Sequence, residues 1–533
     1  MATADCTPIP AVPRASRLFQ DFCAGFPGAR VFYGAQTELG EWMKSSQRPA
    51  HWPELVDELA AQNPHATAAL DVLRSVGGAV VTGQQVGLFG GPLLTALKAG
   101  TAIARARQAT AAGHPHAAIF WLASEDHDFD EINHVIFPAR RVLKTLEYKS
   151  APADPRPVGG LVLDETIAPL LEQAWELLGY SEAMQALEAA YKPGRTFAQA
   201  FAEFYSKIFA AQGLLVFDAS SRQAHRMGAP VLQAAIDTAD QMHAALLMRN
   251  QGLAAVGYHA QVAVGPESSL LFLIDAQTGA RHALKRHLAS ASEPSGLWQA
   301  GSERYTSDDL RGILAAEPER ISPSALLRPL FQDFLLGTSL IIGGPAEIAY
   351  FAQSEVLYQR VLGRMTAVEP RFSATLVEPG IAEQMRHHEL SFERLLTESP
   401  DSLAQLMAAR AMPVEGKQLL SNAGNALNAE LEPLLAWMQT VDEGLGRSGA
   451  TAANKMRYQM NRMRRLAANF QLSKEDALRR RAQAITNALL PGGVLQERVH
   501  GAAWYFAHHG LQLAETIATH AASNCNGHML VWL

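Results

Sequence analysis

A chain of 533 residues, 48% apolar and 18% charged, is too long for one hydrophobic core and is expected to form two or three structural units. Its formal charge of -7 offers no basic face for neutralising phosphates, which excludes nucleic acid as the expected partner. The opening MATADCTPIPAVPRASRLFQDF lacks a charged region followed by an apolar stretch, and no window approaches the ~20 apolar residues of a membrane span, so a soluble cytoplasmic protein is expected.

Residues 77–85, GGAVVTGQQ, predict a strand, followed by a helix that opens at Pro92 and runs through LLTALKAGTAIARARQATAA. HAAIFWLA (116–123) reads as a second buried strand, and this order predicts a right-handed βαβ unit in a parallel sheet. GLLVFDAS (213–220) and TSLIIGGP (338–345) predict further strands of the same doubly wound α/β core. One insertion is expected at 140–200, where Pro152, Pro155, Pro157 and Gly159-Gly160 break periodicity. A second, at 255–300, is read as antiparallel from YHAQVAV (258–264), SLLFLIDA (269–276) and RHALKRH (281–287).

From 381 to 489 strand signal fades, and two long helices separated by a turn at Gly444–Gly449 predict an antiparallel coiled-coil hairpin, a surface for pairing with a second copy. Residues 490–533 are rich in aromatics and are expected to return to the core, residues 1–380. Cys6, Cys23 and Cys525 lie far apart without a CxxC pair, which predicts unpaired thiols and excludes a cysteine-rich zinc site.

The first strand ends in GQQVGLFGGPLL, where a doubly wound sheet holds its ligand. Gly83, Gln84, Gln85, Gly90 and Gly91 allow backbone N–H groups to approach an anion, Pro92 suits a first helical turn, and Thr95 and Lys98 share one helix face. A turn that only lets the helix pack on its strand is the competing reading, because no regular phosphate-loop pattern matches. SEDHDFDEINH follows the second strand, and as a helix it places His127, Glu131 and His134 at i, i+4 and i+7, a candidate metal set without the HExxH order. Its acids Glu125, Asp126, Asp128, Asp130 and Glu131 exceed what helix capping explains.

IIGGPAEIAYFAQ repeats the strand, Gly-Gly-Pro, helix order, so Gly343, Gly344 and Glu347 are read as a second wall, with Glu347 binding an amine or a ribose hydroxyl. Arg328 and Asp333 are read as a structural pair, and Arg371 and Ser373 follow the core. No Gly-x-Ser-x-Gly elbow supports a serine nucleophile.

Together VTGQQVGLFGGPLLTALKA, IFWLASEDHDFDEINH, LLRPLFQDFLLGTSLIIGGPAEIAYFAQ and LQER resemble, in order over nearly the whole chain, the BshC family of cysteine-adding enzymes in bacillithiol biosynthesis. The resemblance implies joining L-cysteine through its carboxyl group to the amine of glucosaminyl malate. It also implies a Rossmann-like core similar to class I aminoacyl-tRNA synthetases with connecting-peptide insertions, a coiled-coil domain contributing to a homodimer, and an ADP pocket separate from the active site. The synthetase His-Ile-Gly-His signature has no histidines here, where Gly83-Gln84-Gln85 and Gly90-Gly91-Pro92 stand, and Arg371 and Ser373 match the mobile lysine-rich loop only loosely. The zinc ligand set of cysteine-activating synthetases cannot be assembled from three scattered cysteines.

On this reading ATP or another phosphate donor activates cysteine, with the helix N-termini at Pro92 and Pro345 and Lys98 offsetting negative charge. His127 or Asp128 is the expected base, Glu125 and Asp126 belong to the substrate wall, and Arg328, Arg371 or Lys98 pairs with the malate carboxylates. Arg498 is the expected residue of the ADP pocket. A non-catalytic nucleotide-binding dimer and a metal-dependent hydrolase using His127, Glu131 and His134 are the alternatives.

Overall fold

The computed structural model describes residues 4–8, 15–34, 40–45, 47–75, 77–139, 142–287, 296–474, 476–523, 525 and 527–533. Five parallel strands form the central sheet: β1 (Gly78–Gln84), β2 (His116–Leu122), β3 (Leu215–Asp218), β4 (Leu340–Gly343) and β5 (Ala367–Pro370). Their order is β5-β4-β1-β2-β3. The chain therefore builds outward from β1 on one side and returns to the other, which puts the topological switch point between β1 and β4.

Successive strand side chains point to opposite faces, so a sheet covered on both sides must be apolar at nearly every position. Val80, Ala118, Phe120, Leu122 and Ile342 enter the core on one face, and Ala79, Val81, Ile119, Trp121 and Phe217 enter the core on the other. Helix α1 (Leu93–Ala111) covers the first face, while α2 (Arg222–Asp237) and α3 (Arg328–Leu336) pack on the second. Helix α4 (Pro345–Val361) links β4 to β5. The four strands expected from the sequence are β1 to β4; β5 is a further one, four residues long and ending in Pro370, too short to give an apolar run.

The connection from β2 to β3 holds a hairpin, His134–Ala139 with Val142–Glu147, and three helices, Ile167–Leu178, Glu182–Ala190 and Phe197–Ile208. These helices bring Tyr205 onto Phe120 of the sheet, the two rings stacked at 5.4 Å. Between α2 and α3 lies a five-stranded antiparallel sheet in the order Glu303–Thr306, Leu297–Ala300, Arg281–Arg286, Ser268–Ile274, Ile321–Pro323. Residues 258–264, expected as one of its strands, are not a strand. The Gln353 side chain instead takes the backbone of Val262, accepting from its N–H at 2.9 Å and donating to its carbonyl at 2.9 Å.

A further sheet joins three distant segments. Ser373–Val377 runs parallel to Gly527–Trp532, which is antiparallel to Ala4–Pro8. Beside it Cys6 and Cys525 form a disulfide, which corrects the expectation of unpaired thiols; their sequence separation of 519 hides a Cα spacing of 5.9 Å. Cys23 is free, and burial pushes its thiol up to about 12.

Helices α5 (Val414–Val441) and α6 (Glu443–Lys474) form the hairpin. The turn is at Asp442, not at Gly444–Gly449, because the Asp442 carboxylate accepts the Leu445 N–H at 2.9 Å and starts α6 early. Gly449 serves packing instead: a Cβ there would meet the Met438 sulfur at 2.8 Å. The hairpin leaves Leu419, Trp437, Met463, Leu466 and Phe470 exposed. C-terminal to it, Trp504, Tyr505 and Phe506 are buried in the core beside α1. Among the described residues, no helix is long and apolar enough to cross a membrane.

Candidate active site

The carboxyl ends of β1, β2 and β4 deliver polar residues into one crevice at the switch point. From β1 come Gly83, Gln84 and Gln85, all half-buried. The Gln85 amide donates to Asp126 at 2.9 Å and to Glu131 at 2.8 Å, tying the β1 turn to the acidic segment after β2. Asp126 is half-buried, which disfavours its charge, yet the nearby Arg328 and the Gln85 and His127 N–H donors hold its carboxyl below the ordinary range.

Next to it Ser124 donates to Asp218 of β3 at 2.5 Å, and Glu125 pairs with the fully buried His225 of α2 at 2.8 Å. Burial opposes both charges of that pair, but their mutual attraction wins, so Glu125 is held below and His225 above its ordinary value. Asp218 and His225 escaped the sequence reading, since Asp218 closes an apolar strand and His225 sits in an otherwise ordinary helix.

The antiparallel insertion supplies a further wall. Arg281 lies buried over the Phe272 ring at 3.6 Å, with its Nε donating to Ser322 at 3.1 Å and Nη1 meeting His127 Nδ1 at 2.9 Å. Burial pushes its guanidinium down to about 10, still charged at neutral pH. Strand alternation puts Arg281 in step with the exposed Ala283 and Lys285, so the local pattern hides its burial. Arg328 opens α3 half-buried, and among the described residues its guanidinium makes no hydrogen bond or ion pair, acting on Glu125 and Asp126 through its field alone. Its expected pairing with Asp333 is corrected: Asp333 is held by Arg364 at 2.9 and 3.1 Å and by Thr366.

The expected metal set is not assembled. Helix forms only over Phe129–Ile132, because Asp128 caps it and His134 already begins a strand. His127 faces Arg281, Glu131 faces Gln85 and His134 meets Asn133 at 3.1 Å. Among the described residues no three His, Cys, Asp or Glu side chains converge on a metal position.

The glycine-rich turn also departs from expectation. Gly87 to Gly91 are buried, with the Tyr191 hydroxyl receiving the Gly90 N–H at 3.0 Å and the Tyr205 hydroxyl donating to the Gly90 carbonyl at 2.8 Å. The Leu93 N–H at the start of α1 donates to the His500 carbonyl at 2.7 Å, and Thr95 is fully buried. Gly90, at φ +84°, is required by packing: a Cβ there would lie 2.4 Å from the Phe204 ring. Gly90 is thus held by the β2–β3 connection, Gly91 and Pro92 anchor α1 to the C-terminal segment, and Thr95 is buried with them rather than facing the crevice. Any helix carries the same pattern whether a ligand or a tyrosine satisfies it.

Lys98, one turn further along, is buried and held by Glu347, by the Gly83 carbonyl at 2.6 Å and by the Gln84 side chain at 3.0 Å. Burial lowers its pKa, and the Glu347 carboxylate acts against that shift. Glu347 also accepts the Gly344 N–H at 2.7 Å, locking the opening of α4. Unlike α1, α4 starts in the open, with Pro345 half-buried and Ala346 exposed beside Gly343 and Gly344. Arg371 is spent in a buried two-pronged pair with Glu497 at 2.5 and 3.0 Å, and Ser373 donates to the same carboxylate at 3.0 and 3.1 Å. Exposed Arg498 lines a cavity of about 1290 Å³ along β5 that also takes in Pro345, Ala346 and Arg371 but none of the acids after β2.

Two family models cover the chain: residues 4–372 match Bacillithiol biosynthesis BshC, N-terminal Rossmann-like domain, and residues 374–533 match its C-terminal coiled-coil domain. Relatives carrying the name "Putative cysteine ligase BshC" include one from Koribacter versatilis, 38% identical over 99% of both chains. Others are from Solibacter usitatus, 32% identical over 91% of this chain and 90% of that one, and Salinibacter ruber, 28% identical over 98% of both. A solved chain from Campylobacter jejuni described as a "putative arginyl t-RNA synthetase" overlaps at TM-score 0.23 with 10% identity, covering 87% of this chain and 99% of that one, a level that says nothing about function.

Proposed function

Since the chain belongs to the BshC family of bacillithiol biosynthesis, with its Rossmann-like and coiled-coil domains, we propose that it is a cysteine ligase joining the L-cysteine carboxyl group to the amine of glucosaminyl malate. The observation that carries this reading is the half-buried Arg328, its donors unengaged among the described residues, facing the ionised Asp126 across the switch-point crevice. Such a crevice suits a substrate pair bearing carboxylates and amines. Lys98 and Arg371, the other expected carboxylate partners, are already committed to Glu347 and Glu497, which leaves Arg328 for the malate group. Asp126 and Glu131, aligned by Gln85, receive an ammonium. Asp128, exposed beside them, takes the proton that the attacking amine must lose.

Amide formation from a free carboxylate is uphill in water, so a phosphate donor of the ATP class completes the proposal. The α1 turn does not fit it, because His500, Tyr191 and Tyr205 occupy the backbone groups a phosphate would need. The opening of α4 fits better: Glu347 takes the Gly344 N–H and Pro345 has none, so the Ala346 and Glu347 N–H groups of the exposed first turn would hold the phosphates, with Lys98 beneath and Arg498 at the adjoining cavity. When bound, the donor supplies the phosphoryl or adenylyl group that activates the cysteine carboxyl. A homodimer through the hairpin belongs to the same proposal, supported by the exposed Trp437, Leu466 and Phe470.

Calorimetric titration tests the assignment. Arg328→Gln should weaken glucosaminyl malate binding by about 10- to 100-fold, the size of a lost charge-assisted hydrogen bond, and leave L-cysteine binding unchanged. Equal acceptor binding by variant and wild type counts against the crevice.

A further inference from the structure

We infer that His127 serves the crevice as a neutral hydrogen-bond donor, its ring locked by Arg281 with the proton on Nε2, and that it is not the base that deprotonates the attacking amine. A guanidinium has five donors and no acceptor, so at 2.9 Å Arg281 Nη1–H must donate and His127 Nδ1 must present its lone pair. A neutral imidazole with a bare Nδ1 carries its proton on Nε2. Taking up a second proton would place N–H against N–H and break the contact, so accepting a proton and keeping the Arg281 bond are mutually exclusive.

Arg281 is well placed to enforce this choice. It is buried, stacked on Phe272, and fixed by Ser322 Oγ at 3.1 Å, all on the antiparallel insertion. His127 itself is 38% exposed in its side chain, with Phe272 packed against its ring at a centroid distance of 5.7 Å. The charged groups around it are Asp126, whose Oδ1 lies 3.8 Å from Nδ1, Asp128, and Arg281. Glu125 and Arg328 complete the surroundings of Arg281. Neither acid reaches Nδ1 within hydrogen-bonding distance, so the Arg281 contact sets the tautomer.

An Nε2–H donor at the mouth of an acid-lined crevice suits an anionic oxygen, either of the cysteine carboxyl or of the oxyanion that forms as the amine attacks. Arg281 is then a positioning residue, which gives the antiparallel insertion a part in catalysis. This inference rests on the crevice being the ligase site, and its test has one arm that does not.

The first arm is ring ¹⁵N NMR of the full-length protein labelled at histidine, with the His127 signals identified by their absence in His127→Gln. Expected is a bare Nδ1 and a protonated Nε2 at neutral pH, becoming a tautomer mixture in Arg281→Met. A protonated Nδ1 in the wild type overturns the inference. The second arm is turnover. His127→Ala should lower kcat by about 100-fold, as for a lost oxyanion donor, while His127→Gln, whose amide still donates from a similar position, should recover at least tenfold of that loss. Glutamine as inactive as alanine also overturns it, because only a base is lost equally in both. Because the ring tautomer is read without turnover, a locked ring in a protein without ligase activity sinks the proposed function alone.

Discussion

Replacing Glu347 by glutamine removes the only carboxylate that pairs with Lys98 among the described residues. The ammonium is left with two neutral acceptors, the Gly83 carbonyl and the Gln84 side chain, in a site where its side chain is 4% exposed. Breaking a buried ion pair from one side costs about 3–5 kcal/mol. A ceiling exists, because a lysine with an ordinary value of about 10.4 can shed its proton at pH 7 for about 4.6 kcal/mol, at 1.36 kcal/mol per unit. Once Lys98 is neutral in the folded variant and charged in the unfolded chain, the unfolded state binds one more proton, and stability rises by about 1.4 kcal/mol per pH unit up to that value. Urea unfolding of wild type and Glu347→Gln at pH 7 and pH 9 should therefore show a loss of about 3–5 kcal/mol that shrinks toward about 2 kcal/mol, the ceiling at pH 9. A loss below about 1 kcal/mol, or one that does not change with pH, refutes the claim that this lysine is buried and held by Glu347.

Glu497→Ala should destabilise the protein by about 3–5 kcal/mol in the same assay, since it strands buried Arg371 together with the Ala374 N–H. The Glu125–His225 pair confers a stability window: its contribution fades as pH falls through the depressed Glu125 value and again as pH rises through the elevated His225 value. In His225→Phe both flanks of that profile should flatten. Trp437→Glu combined with Leu466→Glu should convert the proposed dimer to monomer in sedimentation experiments without unfolding the core, because both side chains are exposed on the hairpin.

The β1-α1-β2 unit and the two long helices were legible because their signals are local, apolar runs of strand length and helical periodicity within one segment. The sheet joining residues 4–8, 373–377 and 527–532 was not, since nothing local announces partners so far apart. The same limit governs the site. Gln85 and Asp126 were found because they close adjacent strands, but Arg281 reaches His127 across 154 residues and belongs to another sheet. The Gly-Gly-Pro turns show a different ambiguity. Both sequences expose helix N–H groups in principle, yet Tyr191, Tyr205 and His500, all far from the motif, fill the first, whereas in the second Glu347 takes only the Gly344 N–H and Ala346 stays exposed. His127, Glu131 and His134 failed as a set because the helix that would align them lasts only from Phe129 to Ile132.

The most direct test incubates the purified full-length protein with L-cysteine, glucosaminyl malate and ATP and follows product by mass spectrometry. Wild type should form a conjugate with the mass of both substrates less one water, and replacing Asp126 by asparagine, which removes the charge that receives the ammonium, should reduce it by about 100-fold. Absence of that conjugate with every nucleoside triphosphate and divalent metal supplied would contradict the proposed ligase function.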